Sequence, residues 1–447
     1  MSKNIKNMTE GRPGKLILAF ALPLMFGNIF QQLYTVMDTL IVGRVLGVKA
    51  LAALGASDWL NWMILGIITG FTQGFSILMA QEFGAQHHER LKKVIGNSVI
   101  LSIFFAVLLT AVSQAAAAPI LRFLGTPEDV LPISLAYLRI MFAGVPIVMA
   151  YNLLASILRA LGDGKTPLRA MLAASVVNIG LDILFVAGLH TGVGGAAAAT
   201  LLAQTLAALI CLRAIMKTEV LNLKREHFRL DRPLCTKLTA LGTPMAAQNT
   251  IIAVGGLVVQ SIVNSYGVLF IAGFTATNKL YGILEVAATS YGYAMTTYTG
   301  QNLGAGRWDR IRHGVRSATF IAVITSMVIS ACMLLFGRLL VGSFITGTPS
   351  EIQTATDIAY HYLSIMSWPL SILYLLHLYR SALQGMGDTV MPMVSGIAEF
   401  LMRTLSALLL PRLFGQEGIF YAEILAWAGA DVILLTTYFK RISRHKS

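Results

Sequence analysis

Long apolar runs, each ended by a short cluster of Gly, Pro or charge, follow one another along almost the whole chain. They predict twelve helices, at about 16–40, 51–79, 94–118, 131–157, 168–189, 193–216, 237–263, 269–299, 314–337, 354–379, 390–411 and 417–439. Each is of the length that crosses a bilayer at about 20 apolar residues per span, and together they leave no room for a separate soluble domain. Composition agrees: 56% of the 447 residues are hydrophobic and 12% charged, with a mean hydropathy of +0.70. The expected class is an all-α integral membrane protein.

A net charge of +13 could point to nucleic acid, but the basic residues fall mostly in the short loops, on one side. Twenty-six of the 34 Lys and Arg lie in the tails and alternate connections that share the side of the amino terminus, Arg380 counted among them. The opposite connections hold Arg44, Lys49, Arg122, Arg338 and Arg412, while Arg139, Lys279 and Arg403 lie inside spans. By the positive-inside rule both termini are cytoplasmic, and no nucleic-acid partner is expected. The opening MSKNIKNMTEGRPGK is polar and basic without a cleavage pattern, so an uncleaved cytoplasmic tail is expected. Cys211, Cys235 and Cys332 have no CxxC spacing and suggest neither a disulfide framework nor a metal site.

An internal repeat divides the chain. Gln81-Glu82-Phe83-Gly84-Ala85 recurs as Gln301-Asn302-Leu303-Gly304-Ala305, 220 residues on. Tyr137-Leu138-Arg139-Ile140-Met141 recurs as Tyr362-Leu363-Ser364-Ile365-Met366, and Ser156 through Gly162-Asp163 to Pro167 as Ser381 through Gly387-Asp388 to Pro392, both at 225. Six spans per repeat, an even number, imply two six-helix lobes of the same orientation, related by a pseudo-two-fold axis along the membrane normal. The expected division is 1–216 for the first lobe, 217–236 for a basic cytoplasmic connection and 237–447 for the second. That connection reads as a linker obeying the charge rule, with an anionic-lipid site as the alternative.

Polar groups at membrane depth are the candidate chemistry. In the run from Ser175 to Phe185, Asn178 and Asp182 are four residues apart on one helical face, and a carboxylate there costs at least ~2.5 kcal/mol if given to lipid. Asp182 lies about seven residues, ~10 Å, below the outer surface; Thr200 and Asp38 enter from the same side to a similar depth. Asp38 carries Tyr34 and Gln31 on its own face. Two carboxylates, an amide and a hydroxyl form an oxygen-rich set suited to a proton or a small hard cation such as Na⁺. The plain alternative is a hydrogen-bonded pair that only holds the bundle together. The second half lacks the set: Ala407 and Arg403 stand 225 residues beyond Asp182 and Asn178.

The second half has its own charges: Lys279, Glu285, Glu399, Arg403, Glu423 and Asp431. Glu399 and Arg403, at i and i+4, are expected to neutralise each other. Lys279 and Glu285 are open between structural and substrate-contact roles. Tyr291, Tyr293, Met295, Tyr298, Met366 and Trp368 could line a forgiving apolar cavity or simply pack. Gly162-Asp163-Gly164-Lys165-Thr166 resembles a P-loop only superficially, because Arg159 stands where the leading Gly is required and no strand precedes it. Without a nucleotide-hydrolysis or other catalytic constellation, the expected energy source is an ion gradient; no cofactor is expected.

These residues resemble the multidrug and toxic compound extrusion (MATE) family. The resemblance rests on Pro23, Asn28 and Gln31 to Asp38 followed by Gly43-Arg44-Val45-Leu46-Gly47, on Gln81 to Ala85, on Gly162-Asp163 to Pro167 and on Gln301 to Gly306. Within the family the chain is most similar to the DinF-like prokaryotic branch, whose first-lobe Asp, Asn-xxx-Asp and Thr are matched by Asp38, Asn178, Asp182 and Thr200. The resemblance implies a bacterial inner-membrane antiporter, working as a monomer, that exports amphiphilic compounds in exchange for H⁺ or Na⁺. A lipid or lipid-linked oligosaccharide flippase of the same superfamily is the first rival; a membrane enzyme or a channel lacks its motif here.

Overall fold

The computed structural model describes residues 5–345 and 347–445, apart from the side chain of Val48. Among these, every regular element is helical. The first half runs α1 (Pro13–Leu46), α2 (Val48–Gly84), α3 (His88–Phe123), α4 (Leu131–Ala143), α5 (Val145–Ala160), α6 (Lys165–Asp182) and α7 (Val193–Met216). The second runs α8 (Arg232–Val263), α9 (Val268–Gly304), α10 (Trp308–Gly342), α11 (Pro349–Ser367), α12 (Leu370–Gly385), α13 (Val390–Phe414) and α14 (Ala422–Ser443).

Nine helical stretches are long and apolar enough to cross a bilayer, and the pairs α4–α5 and α11–α12 make two further spans bent by 47° and 53°. The twelfth, α9, has 37 residues but carries Asn278, Lys279 and Glu285 in its middle. The bends were not expected within 131–157 and 354–379, where the apolar pattern runs on. Gly144 with Pro146, and Pro369 after Trp368, interrupt the backbone hydrogen bonding there. Large side chains such as Phe104, Val107, Phe320, Leu335 and Leu413 are more than half exposed, as lipid-facing positions should be.

The repeat extends to the backbone of its turns. Gly162 and Gly387 both take φ +83°, the left-handed conformation that glycine adopts without a Cβ clash. In each copy the next residue caps the helix that follows: Asp163 Oδ1 accepts from the Lys165 and Thr166 amides, Asp388 Oδ1 from the Met391 amide.

Two compact units emerge. One comprises residues 5–8 and 22–247, the other 9–21 and 248–445. The boundary therefore departs from the expected 216 and 237: α8 belongs to the first unit up to Ala247, and the start of α1 to the second. The basic connection is not a free linker. Leu221 and His227 are 2% exposed, and the Asn97 side chain on α3 donates to the Arg229 carbonyl and accepts from the Asp231 amide. The early part of α8 lies so close to α2 that a Cβ on Gly74 would stand 2.4 Å from Gly242 Cα, and one on Gly70 2.5 Å from Ala246 Cα. Small residues permit this backbone approach.

Candidate functional site

In the first unit α6 delivers Asn178 and Asp182 to the interior, with exposures of 1% and 0%. Asp182 is the last residue of regular helix; a π-helical turn follows over Ile183–Gly188, in which the Leu189 amide reaches back to the Leu184 carbonyl. Such widened turns are concentrated at functional sites, because they re-aim side chains without ending the helix. The Asn178 amide donates to the Thr200 hydroxyl on α7, 3.4 Å away. On α1, Asp38 is 8% exposed and within electrostatic reach of Asp182.

Unpartnered oxygens are concentrated in this cluster. Asp38 Oδ1, Asn178 Oδ1 and both carboxylate oxygens of Asp182 are buried with no hydrogen-bond partner in the structure, as is Gln204 Oε1 on α7. Buried polar groups are almost always partnered, and leaving a carboxylate bare is costly. A set of unpartnered oxygens is what a site for a proton or a hard cation presents before loading. The expected four, Asp38, Asn178, Asp182 and Thr200, thus lie together, and the Tyr34 hydroxyl faces Gln31 and Gln204. Three neighbours were not foreseen. Gln204 lies one turn beyond Thr200; Tyr137 on α4 is within reach of Asp38, Asp58 and Asp182; Asp58 on α2 is exposed and within electrostatic reach of Asp38. An i+4 search from Thr200 would have found Gln204, and the rule that intramembrane carboxylates are functional would have found Asp58. Outside the helices, the hydrogen bond and charge of Lys49, 2.8 Å away, hold the Asp129 carboxyl below its ordinary range.

The second unit buries an ion-pair chain. Glu399 on α13 accepts from Arg380 on α12 at 2.7 Å and from Arg403, one turn on, at 2.8 Å; Arg403 also donates to Glu423 on α14 at 2.8 Å. The expected Glu399–Arg403 pair forms. Arg380 corrects its placement in a cytoplasmic connection: it lies inside α12, 8% exposed, because Glu399 offers it a counter-ion. Of the residues that could line a cavity or simply pack, three lie in the core. Tyr291, Met295 and Met366 are buried to 2% or less, with the Tyr291 hydroxyl bonded to Thr325. They fill the core of this unit, whose close packing needs their volume. Trp368 is exposed beside the α11–α12 bend and Lys279 is exposed on α9, whereas Glu285 pairs with His377 at 3.2 Å.

Comparison with known proteins bears on this arrangement. A family model described as MatE matches residues 23–184 and 244–409, one segment in each half. Among curated relatives, the probable multidrug resistance protein YpnP of Bacillus subtilis is 30% identical over 342 residues, 76% of each chain. The probable multidrug resistance protein YoeA of the same organism is 28% identical over 387 residues, covering 85% of this chain and 82% of its own. Among solved structures, an outward-facing multidrug resistance MATE family transporter of the MOP superfamily superposes with a TM-score of 0.92 at 23% identity, over 99% of both chains.

Proposed function

From the premise that the chain belongs to the MatE family, whose members are membrane transporters rather than enzymes, we propose that it is a secondary active multidrug efflux antiporter. It exports amphiphilic, often cationic compounds in exchange for H⁺ or Na⁺. The observation that carries this reading is the cluster of unpartnered buried oxygens on Asp38, Asn178 and Asp182. In the loaded state the ion occupies that cluster, with Thr200 orienting Asn178 and with Gln31 and Tyr34 as neighbouring polar groups. Loading favours whichever conformation holds the ion more tightly, and release to the low-cation side restores the other; the difference in affinity sets how far loading shifts the equilibrium, and the ion gradient drives the cycle. Relatives from bacteria and the bias of Lys and Arg support a place in the cytoplasmic membrane, with both termini inside. One chain carries the full set of site residues, consistent with a functional monomer.

The test is efflux of a fluorescent cationic dye from proteoliposomes under an imposed pH gradient or an imposed Na⁺ gradient, with wild type and Asp182→Asn. Efflux driven by one gradient and lost in the variant identifies the coupling ion and its site. Gradient-independent behaviour of correctly oriented, folded protein would remove the antiporter reading and favour lipid or lipid-linked oligosaccharide flipping, to be assayed with a labelled lipid in the same vesicles.

A further inference from the structure

The ion-pair chain of the second unit is balanced without Asp431. Arg380 and Arg403 supply two positive charges, Glu399 and Glu423 two negative, and each contact is 2.7 or 2.8 Å. Asp431 lies on the same face of α14 as Glu423, two turns on, with Trp427 between them. It is 6% exposed, and its Oδ1 is buried without a partner. Among the described residues no guanidinium, ammonium or imidazolium forms an ion pair with it. The charged groups that face it are Arg380 from α12 and Glu399 from α13; farther along the same chain stand Arg403 and Glu423. The α9 helix contributes a neutral group beside α14, Tyr281, stacked on Trp427.

We propose that Asp431 is a second proton-exchanging site, separate from the oxygen cluster of the first unit. Its ligand is a proton rather than a metal ion. A single carboxylate facing a guanidinium is a poor cage for a metal cation, whereas one proton removes the only uncompensated charge in the network. Protonation converts the carboxylate to a neutral acid and breaks no other bond. Glu423 is the most exposed member of the chain, with 18% of its side chain accessible.

The experiment uses full-length protein in nanodiscs. Pulsed pH titration with an indicator counts protons bound, and infrared difference spectra record the carbonyl stretch of protonated carboxyl groups, for wild type, Asp431→Asn, Asp431→Glu and Asp182→Asn. Asp431→Asn is expected to bind one proton fewer per chain over the full titration and to lose one titrating carboxyl band. Asp431→Glu should keep the proton and displace the band, while Asp182→Asn should leave that band in place. If Asp431→Asn does not fold, the displaced band in Asp431→Glu carries the test. An Asp431 band that persists at every pH, or spectra unchanged by either substitution, would overturn the proposal. Because these readouts need no transport, their failure is distinct from failure of the antiporter reading, which loss of dye efflux decides.

Discussion

Replacing Glu399 by Gln should strand a buried cation. In the native chain Arg380 has Glu399 as its carboxylate partner at 2.7 Å, whereas Arg403 keeps Glu423 at 2.8 Å whatever happens to Glu399. The amide of Gln can accept from one guanidinium, but its NH₂ then points donors at donors. Arg380, 8% exposed, loses its hydrogen-bonded carboxylate and keeps only the unpaired Asp431 carboxylate within electrostatic reach. Removing one partner of a buried pair costs about 3–5 kcal/mol, most of it the penalty of the charge left behind. With an unfolding entropy near 2.1 cal/mol/K per residue, a chain of this size shifts by about 1 °C per kcal/mol, so Tm should fall by roughly 3–5 °C. The assay is the apparent melting temperature by fluorescence-detected size exclusion at a fixed heating rate. The double variant Glu399→Gln with Arg380→Met removes the stranded charge as well and should recover most of the loss, a favourable coupling in the double-mutant cycle. A Glu399→Gln melting temperature within about 0.5 °C of wild type, or a double variant no better than the single one, would refute the reasoning, since both follow from an Arg380 that has lost its hydrogen-bonded carboxylate.

Other outcomes follow from the same geometry. A methyl at position 74 would sit 2.4 Å from Gly242 Cα, against an ordinary carbon contact of about 3.5–4.0 Å. Gly74→Ala must therefore move α2 and α8 apart by about 1 Å and cost roughly 1–3 kcal/mol, read as a lower melting temperature, while the lipid-facing control Val107→Ala should leave it near wild type. Asn97→Ala removes the side-chain bonds to Arg229 and Asp231 and leaves those backbone groups short of partners, at about 1–3 kcal/mol; trypsin should then cut within 217–232 faster than in wild type. Thr200→Val deletes the hydroxyl that Asn178 reaches and should weaken coupling-ion affinity without the complete loss expected for Asp182→Asn, seen as a shift in the gradient needed for half-maximal efflux.

Depth along a helix is linear in residue number at 1.5 Å per residue, so sequence alone determined which polar groups share a level. Asp38, Asn178, Asp182 and Thr200 were legible for that reason, as were twelve apolar runs and a two-fold repeat whose turns carry glycine at 162 and 387. Azimuth and partner depend on how helices pack, and only the tertiary structure decided them. It brought Tyr137 and Gln204 to the oxygen cluster and drew Arg380 out of its expected loop onto Glu399. It buried Tyr291, Met295 and Met366 in a core, because a solitary span cannot say which of its faces meets another helix. The division of α1 and α8 between two units is equally a matter of packing: both are continuous apolar helices in sequence, and only the contacts on either side of residues 21 and 247 assign their ends to different bodies.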